Sequence, residues 1–73
     1  MKVFSERLKL LRKDKKLTQL DMAKFLECAE QHYQRIEYGK INIPSMNLIK
    51  LAQYFDVSTD YLLGLSETKE KQP

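Results

Sequence analysis

The side chains best suited to chemistry crowd one short stretch, EQHYQRIEYGK at residues 30–40. Only Tyr33 and Ile36 in its first turns have the look of core residues. Around them stand Glu30, Gln31, His32, Gln34 and Arg35, each able to donate or accept hydrogen bonds. Cys28 lies four residues before His32. On a helix that spacing brings two side chains together, and Cys with His can form an activated nucleophile or half of a zinc site. Neither is complete here. The chain has one cysteine and one histidine, and no third group stands where it would orient them. Cys28 reads instead as a small apolar turn residue. With two glycines in the chain, no Gly-rich loop exists to cradle a phosphate. No enzyme activity, metal or cofactor is expected. What remains is a short helix with a face of amides, a guanidinium and an imidazole, and the question of what such a face is for.

The whole chain narrows the answer. Its 73 residues are enough for one small domain, and 42% hydrophobic residues are enough for one core. No apolar run is long enough to span a bilayer, and the N-terminus lacks the apolar region of a signal peptide. A cytoplasmic protein is expected, with no membrane and no small-molecule ligand among its partners. One cysteine cannot close an internal disulfide, which agrees. Charge is unevenly spread. Residues 1–26 carry eight Lys and Arg against Glu6, Asp14 and Asp21, whereas residues 27–40 and 41–73 are each slightly acidic. A basic N-terminal third suits a polyanion such as nucleic acid, although lysine-rich helix faces also serve simply as solvated surface.

The helices that must carry these groups are short. Phe4, Leu8 and Leu11 recur at helical spacing, and Ser5 or a neighbour is expected to cap this first helix, which should end near Lys15 or Lys16. Thr18 opens a second, with Asp21 three residues on to complete a capping box and Met22, Ala23 and Leu26 inward. A break falls at Glu27-Cys28-Ala29. The polar stretch is the third helix, closed by Gly39. After the loop KINIP, Pro44 and Ser45 start a fourth, with Met46, Ile49, Ala52 and either Tyr54 or Phe55 turned inward. Asp56 and Val57 form a turn, and Ser58 caps a fifth helix through Leu63, closed by Gly64. SETKEKQP is polar and charged, so residues 66–73 are expected to be a disordered tail. β-branched residues are few and alternation is absent. The expected fold is all-α, five short helices over residues 1–65.

From Leu17 to Leu63 the chain resembles the Cro/cI-type helix-turn-helix proteins, the XRE family. The resemblance rests on LTQ at 17–19, the Met-Ala…Leu of helix two, RIEYGK at 35–40, IPS at 43–45, LIKLAQYFDVS at 48–58 and DYLLG at 60–64. RLKLLR at 7–12 is similar to the family's first helix. No single piece is specific, but order and spacing together are. The resemblance implies a lambda-repressor-like five-helix domain whose helices two and three bind duplex DNA, the third in the major groove. The polar face becomes a reading head, with Tyr33 and Ile36 as its anchors.

Residue roles follow from that resemblance. Gln31 suits adenine N6 and N7, and Arg35, one turn later, suits guanine O6 and N7. Glu30 can accept from cytosine N4 or favour the helix N-terminus. His32 and Gln34 flank the face and are expected at bases or phosphates. Thr18 and Gln19 at the start of helix two, with Lys40 and Asn42 after helix three, are expected on the phosphate backbone, which positions without choosing sequence. Arg12 and Glu37 match positions that pair across helices one and three; Arg12 is also placed near phosphate. Tyr61, Leu62 and Leu65 are expected as contacts of a homodimer. Three departures stand out. Glu27 replaces the usual turn glycine, Ala29 replaces the usual Ser or Thr cap, and the reading segment is slightly acidic. Leu20, Phe25 and Leu48 stand where family members often carry polar residues. The expectation is a bacterial or phage-encoded, nucleoid-associated regulator, most simply a repressor on a two-fold symmetric operator. The alternative is a protein-interaction module of the same fold, antitoxin-like or an adaptor, with weak DNA binding.

Overall fold

The computed structural model describes residues 2–69. Among them run α1 (Lys2–Asp14), α2 (Gln19–Phe25), α3 (Glu30–Glu37), α4 (Ser45–Phe55) and α5 (Thr59–Leu63), with no strand. The expected all-α architecture is what the chain adopts, with small adjustments. α1 begins at Lys2, so Ser5 is not its cap but a buried residue inside its first turns.

Each helix ends the same way. A residue with positive φ follows it, and the next N–H reaches back five residues to a free carbonyl. Leu17 bonds Arg12, Cys28 bonds Ala23, Lys40 bonds Arg35, Val57 bonds Ala52 and Leu65 bonds Asp60, all at 2.9–3.1 Å. This closure satisfies carbonyls that the helix leaves open. Glycine holds the left-handed position at Gly39 and Gly64, but Lys16, Glu27 and Asp56 hold it elsewhere, with φ of 57°, 57° and 54°. Each of these L-residues bears a strain of roughly 1 kcal/mol.

The core is filled by Phe4, Leu8 and Leu11 from α1, Met22 and Ala23 from α2, Tyr33 and Ile36 from α3, Leu51 and Phe55 from α4, and Leu62 from α5. α4 departs from the expected register. Met46 and Ile49 face outward, and Leu48, Leu51, Ala52 and Phe55 turn in. The helix carries two apolar stripes, and the one at 48, 51, 52 and 55 keeps the i, i+3, i+4, i+7 spacing over its whole length. Tyr54 stays at the surface, its ring 4.5 Å from that of Phe25. Phe25 and Leu48 pack against the core, and Leu20 is exposed.

Tertiary contacts do not stop at residue 65. Arg7 donates from Nη1 to the carbonyls of Tyr61 and Ser66, and from Nη2 to Glu67. The Lys69 carbonyl accepts from the Ser58 N–H at 2.8 Å. Residues 66–69 therefore wrap α5, where a tail with no structure was expected. Residues 70–73 of that expected tail lie outside the described residues.

Candidate nucleic-acid interface

α2 is started by a complete capping box. Thr18 Oγ1 accepts from the Asp21 N–H at 3.0 Å, and the Thr18 N–H donates to Asp21 Oδ2 at 2.9 Å. The bonds from the Thr18 backbone and hydroxyl hold the Asp21 carboxyl below its ordinary range. α3 starts without such help. Ala29 has the extended backbone of a cap but no side chain to bond with. Glu30 in the first turn places a negative charge where the helix dipole favours one. Between the two helices Glu27 takes the left-handed conformation, so the turn forms without glycine.

Behind α3 lies a buried ion pair. Arg12 donates from Nε to Glu37 Oε2 at 2.8 Å and from Nη2 to Glu37 Oε1 at 2.9 Å. Its Nη1 donates to the Leu17 carbonyl at 2.8 Å. This bidentate geometry matches the planar guanidinium to the planar carboxylate. Burial by itself would raise the Glu37 carboxyl, but the bonds from Arg12 prevail and lower it. The same bonds raise the Arg12 guanidinium. The Tyr33 hydroxyl is buried nearby with no hydrogen bond of normal geometry. Burial first, and then the neighbouring carboxylate, push its pKa up.

The pair extends outward through two amides. Gln19 Nε2 donates to Glu37 Oε1 at 3.3 Å, and Gln19 Oε1 accepts from Gln34 Nε2 at 3.2 Å. A carboxylate can only accept, so the nitrogen of Gln19 must face Glu37, which leaves its oxygen for Gln34. Orientation set in the core thus reaches the surface through named atoms. The first residue of α2 and the middle of α3 become one unit.

Around that unit the candidate residues divide. Glu30, Gln31, His32 and Arg35 are exposed, and their side chains make no hydrogen bond or ion pair among the described residues. Gln34 is half-buried and bonded to Gln19, so it braces the face as much as it extends it. Thr18, Lys40 and Asn42 are exposed on both flanks, and Gln19 is half-buried between them. One residue was missed. Tyr38 is 58% exposed at the end of α3. The spacing 31, 35, 38 puts it on the side of Gln31 and Arg35, a signal the sequence did contain.

Two expectations need correction. Arg12 is not available to phosphate, because three of its donors are engaged internally and its side chain is 11% exposed. Leu62 cannot be a dimer contact, because it is fully buried. Of its companions, Tyr61 is half-buried under Arg7, whose guanidinium lies 4.1 Å from the ring centre, and Leu65 is 75% exposed.

The imagined Cys28–His32 pair also dissolves. Cys28 precedes α3 and packs against the core, while His32 is exposed. Burial pushes the Cys28 thiol up, away from the thiolate a nucleophile needs. Among the described residues no group of three or more His, Cys, Asp or Glu is placed to hold a metal ion, and no helix is long and apolar enough to cross a membrane.

Known proteins are similar to this chain in sequence. A family profile described as a helix-turn-helix domain matches residues 5–67. Three proteins of Bacillus subtilis (strain 168) are similar to the chain. It is 44% identical over 69 residues to YqaE and 37% identical over 65 residues to YobD, both described as uncharacterized HTH-type transcriptional regulators. It is 43% identical over 61 residues to YonR, described as an SPbeta prophage-derived uncharacterized HTH-type transcriptional regulator. These matches cover 94%, 89% and 84% of the chain, but 59%, 58% and 56% of the relatives, so the chain spans less than two thirds of their length. No solved structure matches it. With the match running from the first turns of α1 to past α5, the chain belongs to the helix-turn-helix family, in its XRE-like form.

Proposed function

We propose that this domain binds duplex DNA and regulates transcription, with α3 in the major groove reading sequence. One observation carries the reading. The inner side of α3 is locked to the core through Tyr33, Ile36 and Glu37, while Glu30, Gln31, His32 and Arg35 face outward with their hydrogen-bonding capacity unspent. A rigid helix with a free polar face is what base readout requires. In this reading Gln31 takes adenine and Arg35 takes guanine. Glu30, His32 and Tyr38 make flanking contacts. Gln34 works through Gln19, holding it for a phosphate. Thr18, Lys40 and Asn42 complete the backbone clamp.

The relatives' printed descriptions as transcriptional regulators support the same reading. The simplest action is repression by occupancy, by a homodimer whose half-sites lie about one helical turn apart, roughly 34–36 Å. Such a protein works where bacterial or phage DNA is, in the cytoplasm.

The test is selection of bound sequences from a random duplex pool at physiological salt, with Gln31→Ala and Arg35→Ala run in parallel. A two-fold symmetric motif should emerge. Each variant should blur one base position per half-site, at a cost of about 1–3 kcal/mol. An unchanged motif in Gln31→Ala would sink the reading-head model. No enrichment at all would favour a protein partner over DNA.

A further inference from the structure

A glutamine amide has a donor end and an acceptor end, and in a groove it can turn either one outward. Gln31 is free to do so, since its side chain has no partner among the described residues. Gln34 is not. Its amide is set from inside the domain.

The constraint starts at Glu37, which is buried. Burial favours the neutral carboxyl, but the bonds from Arg12 prevail and hold it below its ordinary range. At neutral pH it is a carboxylate and can only accept. Gln19 must turn Nε2 to Glu37 Oε1, at 3.3 Å. Its Oε1 then faces Gln34, whose Nε2 donates to it at 3.2 Å. Reversing Gln34 would set its oxygen against the oxygen of Gln19. Reversing Gln19 would set oxygen against the carboxylate. Each bond forbids a flip at the next. The nitrogen end of Gln34 is therefore committed to Gln19, while its Oε1 accepts no hydrogen bond among the described residues.

Position says what that oxygen can meet. Gln34 stands three residues after Gln31 and three before Glu37, on the edge between the outward and the buried sides of α3. Phosphate oxygens only accept. They suit the N–H that Gln19 has to spare, and not the oxygen of Gln34. In the major groove the donors are the amino groups, adenine N6 and cytosine N4, whereas guanine and thymine present acceptors. The bond that holds Gln19 for a phosphate thus also decides what Gln34 offers to a base.

We infer that Gln34 is a specificity-determining residue of preset polarity. Its Oε1 accepts from a base amino group and selects adenine or cytosine over guanine or thymine at one position per half-site. Glu37 is the positioning residue, acting through Gln19 without touching DNA. This deepens the DNA-reading proposal and rests on it.

The experiment is selection from a random duplex pool with wild type, Gln34→Ala, Gln19→Ala, Glu37→Gln and the double variant Gln34→Ala with Glu37→Gln. Circular dichroism checks the fold of each. Wild type should show a position, distinct from those blurred by Gln31→Ala and Arg35→Ala, where adenine and cytosine exceed guanine and thymine by about fivefold or more. Gln34→Ala should erase that preference. Glu37→Gln gives Gln19 a neighbour that donates as well as accepts, so both amides can turn. Guanine and thymine should then enter at that position while the others hold. The double variant should match Gln34→Ala there, because Glu37 acts only through that amide. Gln19→Ala breaks the chain of bonds outside the core, and should lose the same preference even if Glu37→Gln does not fold.

Folded Glu37→Gln or Gln19→Ala that binds every sequence more weakly, with the preference at that position intact, overturns the inference and leaves Glu37 a structural partner of Arg12. So does Gln34→Ala that changes no position, or a wild-type preference for guanine or thymine at the position it changes. Each of these results leaves base reading by Gln31 and Arg35 standing. A wild-type chain that enriches no sequence removes both proposals.

Discussion

Arg7 and Arg12 stand five residues apart on α1, and each meets a glutamate, yet the two sites do opposite things. Arg12 meets a Glu37 that is fully buried; Arg7 meets a Glu67 whose side chain is 93% exposed. Arg12 spends its donors on the carboxylate and one carbonyl, at 2.8–2.9 Å. Arg7 spends two bonds on carbonyls and lays its guanidinium on Tyr61, with the glutamate as an addition. The difference lies in where the partner sits. A buried carboxylate makes its arginine indispensable, whereas an exposed one is already solvated and gains little. One arginine anchors the helix-turn-helix, and the other fastens the segment that leaves it.

The sharpest way to break the comparison is to delete Arg12. Arg12→Ala leaves Glu37 buried and unpaired, and the loss should be about 3–5 kcal/mol. A domain of this size has roughly 4–11 kcal/mol in all, so urea denaturation should find the variant near or past the edge of folding. Arg12→Met combined with Glu37→Leu should recover most of that stability, because no charge is stranded. The double variant should still bind DNA poorly. Gln19 would have lost the carboxylate that orients its amide. A double variant as unstable as the single would show that bond geometry, not stranded charge, dominates.

Acid should separate the two glutamates as well. The folded-state pKa of Glu37 is lowered by the bonds from Arg12. A depressed carboxyl contributes stability that is fully present above its unfolded value, about 4.3, and that is lost as pH falls through the folded value. Denaturation midpoints should therefore hold from neutral pH down to about pH 5 and fall below it. Glu37→Gln should start less stable and show a shallower acid loss. An equally steep fall in that variant would assign acid sensitivity to other carboxylates.

What the sequence disclosed follows from the same distinction. Thr18 with Asp21, Ser58, Gly39 and Gly64 act through contacts within a few residues of the chain, so their types and spacing were readable, and the helices fell where expected. The outward residues of α3 were readable too, because an exposed polar face leaves a pattern. Other features depend on distance in space. Nothing local marks Lys16 as left-handed, and at Asp56 the residue type only tolerates that region without requiring it. The α4 stripe at 46 and 49 and the stripe at 48, 51 and 55 are both apolar, and only the facing helices decide between them. Gln34 looked like a free reader, and the amide it bonds is fifteen residues away. The Arg7 clasp spans 54–60 residues, which no local pattern can announce.

Deleting that clasp is the intermediate test. Arg7→Ala removes a cation–π contact and two bonds to main-chain carbonyls, and should cost about 1–2 kcal/mol. The loss should be local in character. Hydrogen exchange at the Ser58 N–H, which bonds the Lys69 carbonyl, should speed up, while N–H groups in α2 and α3 keep most of their protection. Equal loss of protection in α3 would mean that the two arginine sites are coupled through α1, and the comparison would need redrawing.

The smallest effect is the most discriminating, because geometry alone would predict a larger one. Arg7 and Glu67 are 3.2 Å apart, a distance that would count as an ion pair on any list. Yet the carboxylate faces water, where attraction is screened and ordering a long side chain costs entropy. Glu67→Ala should change stability by about 0.5 kcal/mol or less, and added salt should erase even that. The Arg7→Ala loss should persist in high salt, since it rests on carbonyls and a ring. A Glu67→Ala loss comparable to that of Arg7→Ala would mean that the carboxylate, and not the two carbonyls, holds the wrapped segment in place. Position in the fold would then be a poorer guide than distance to what an arginine does here.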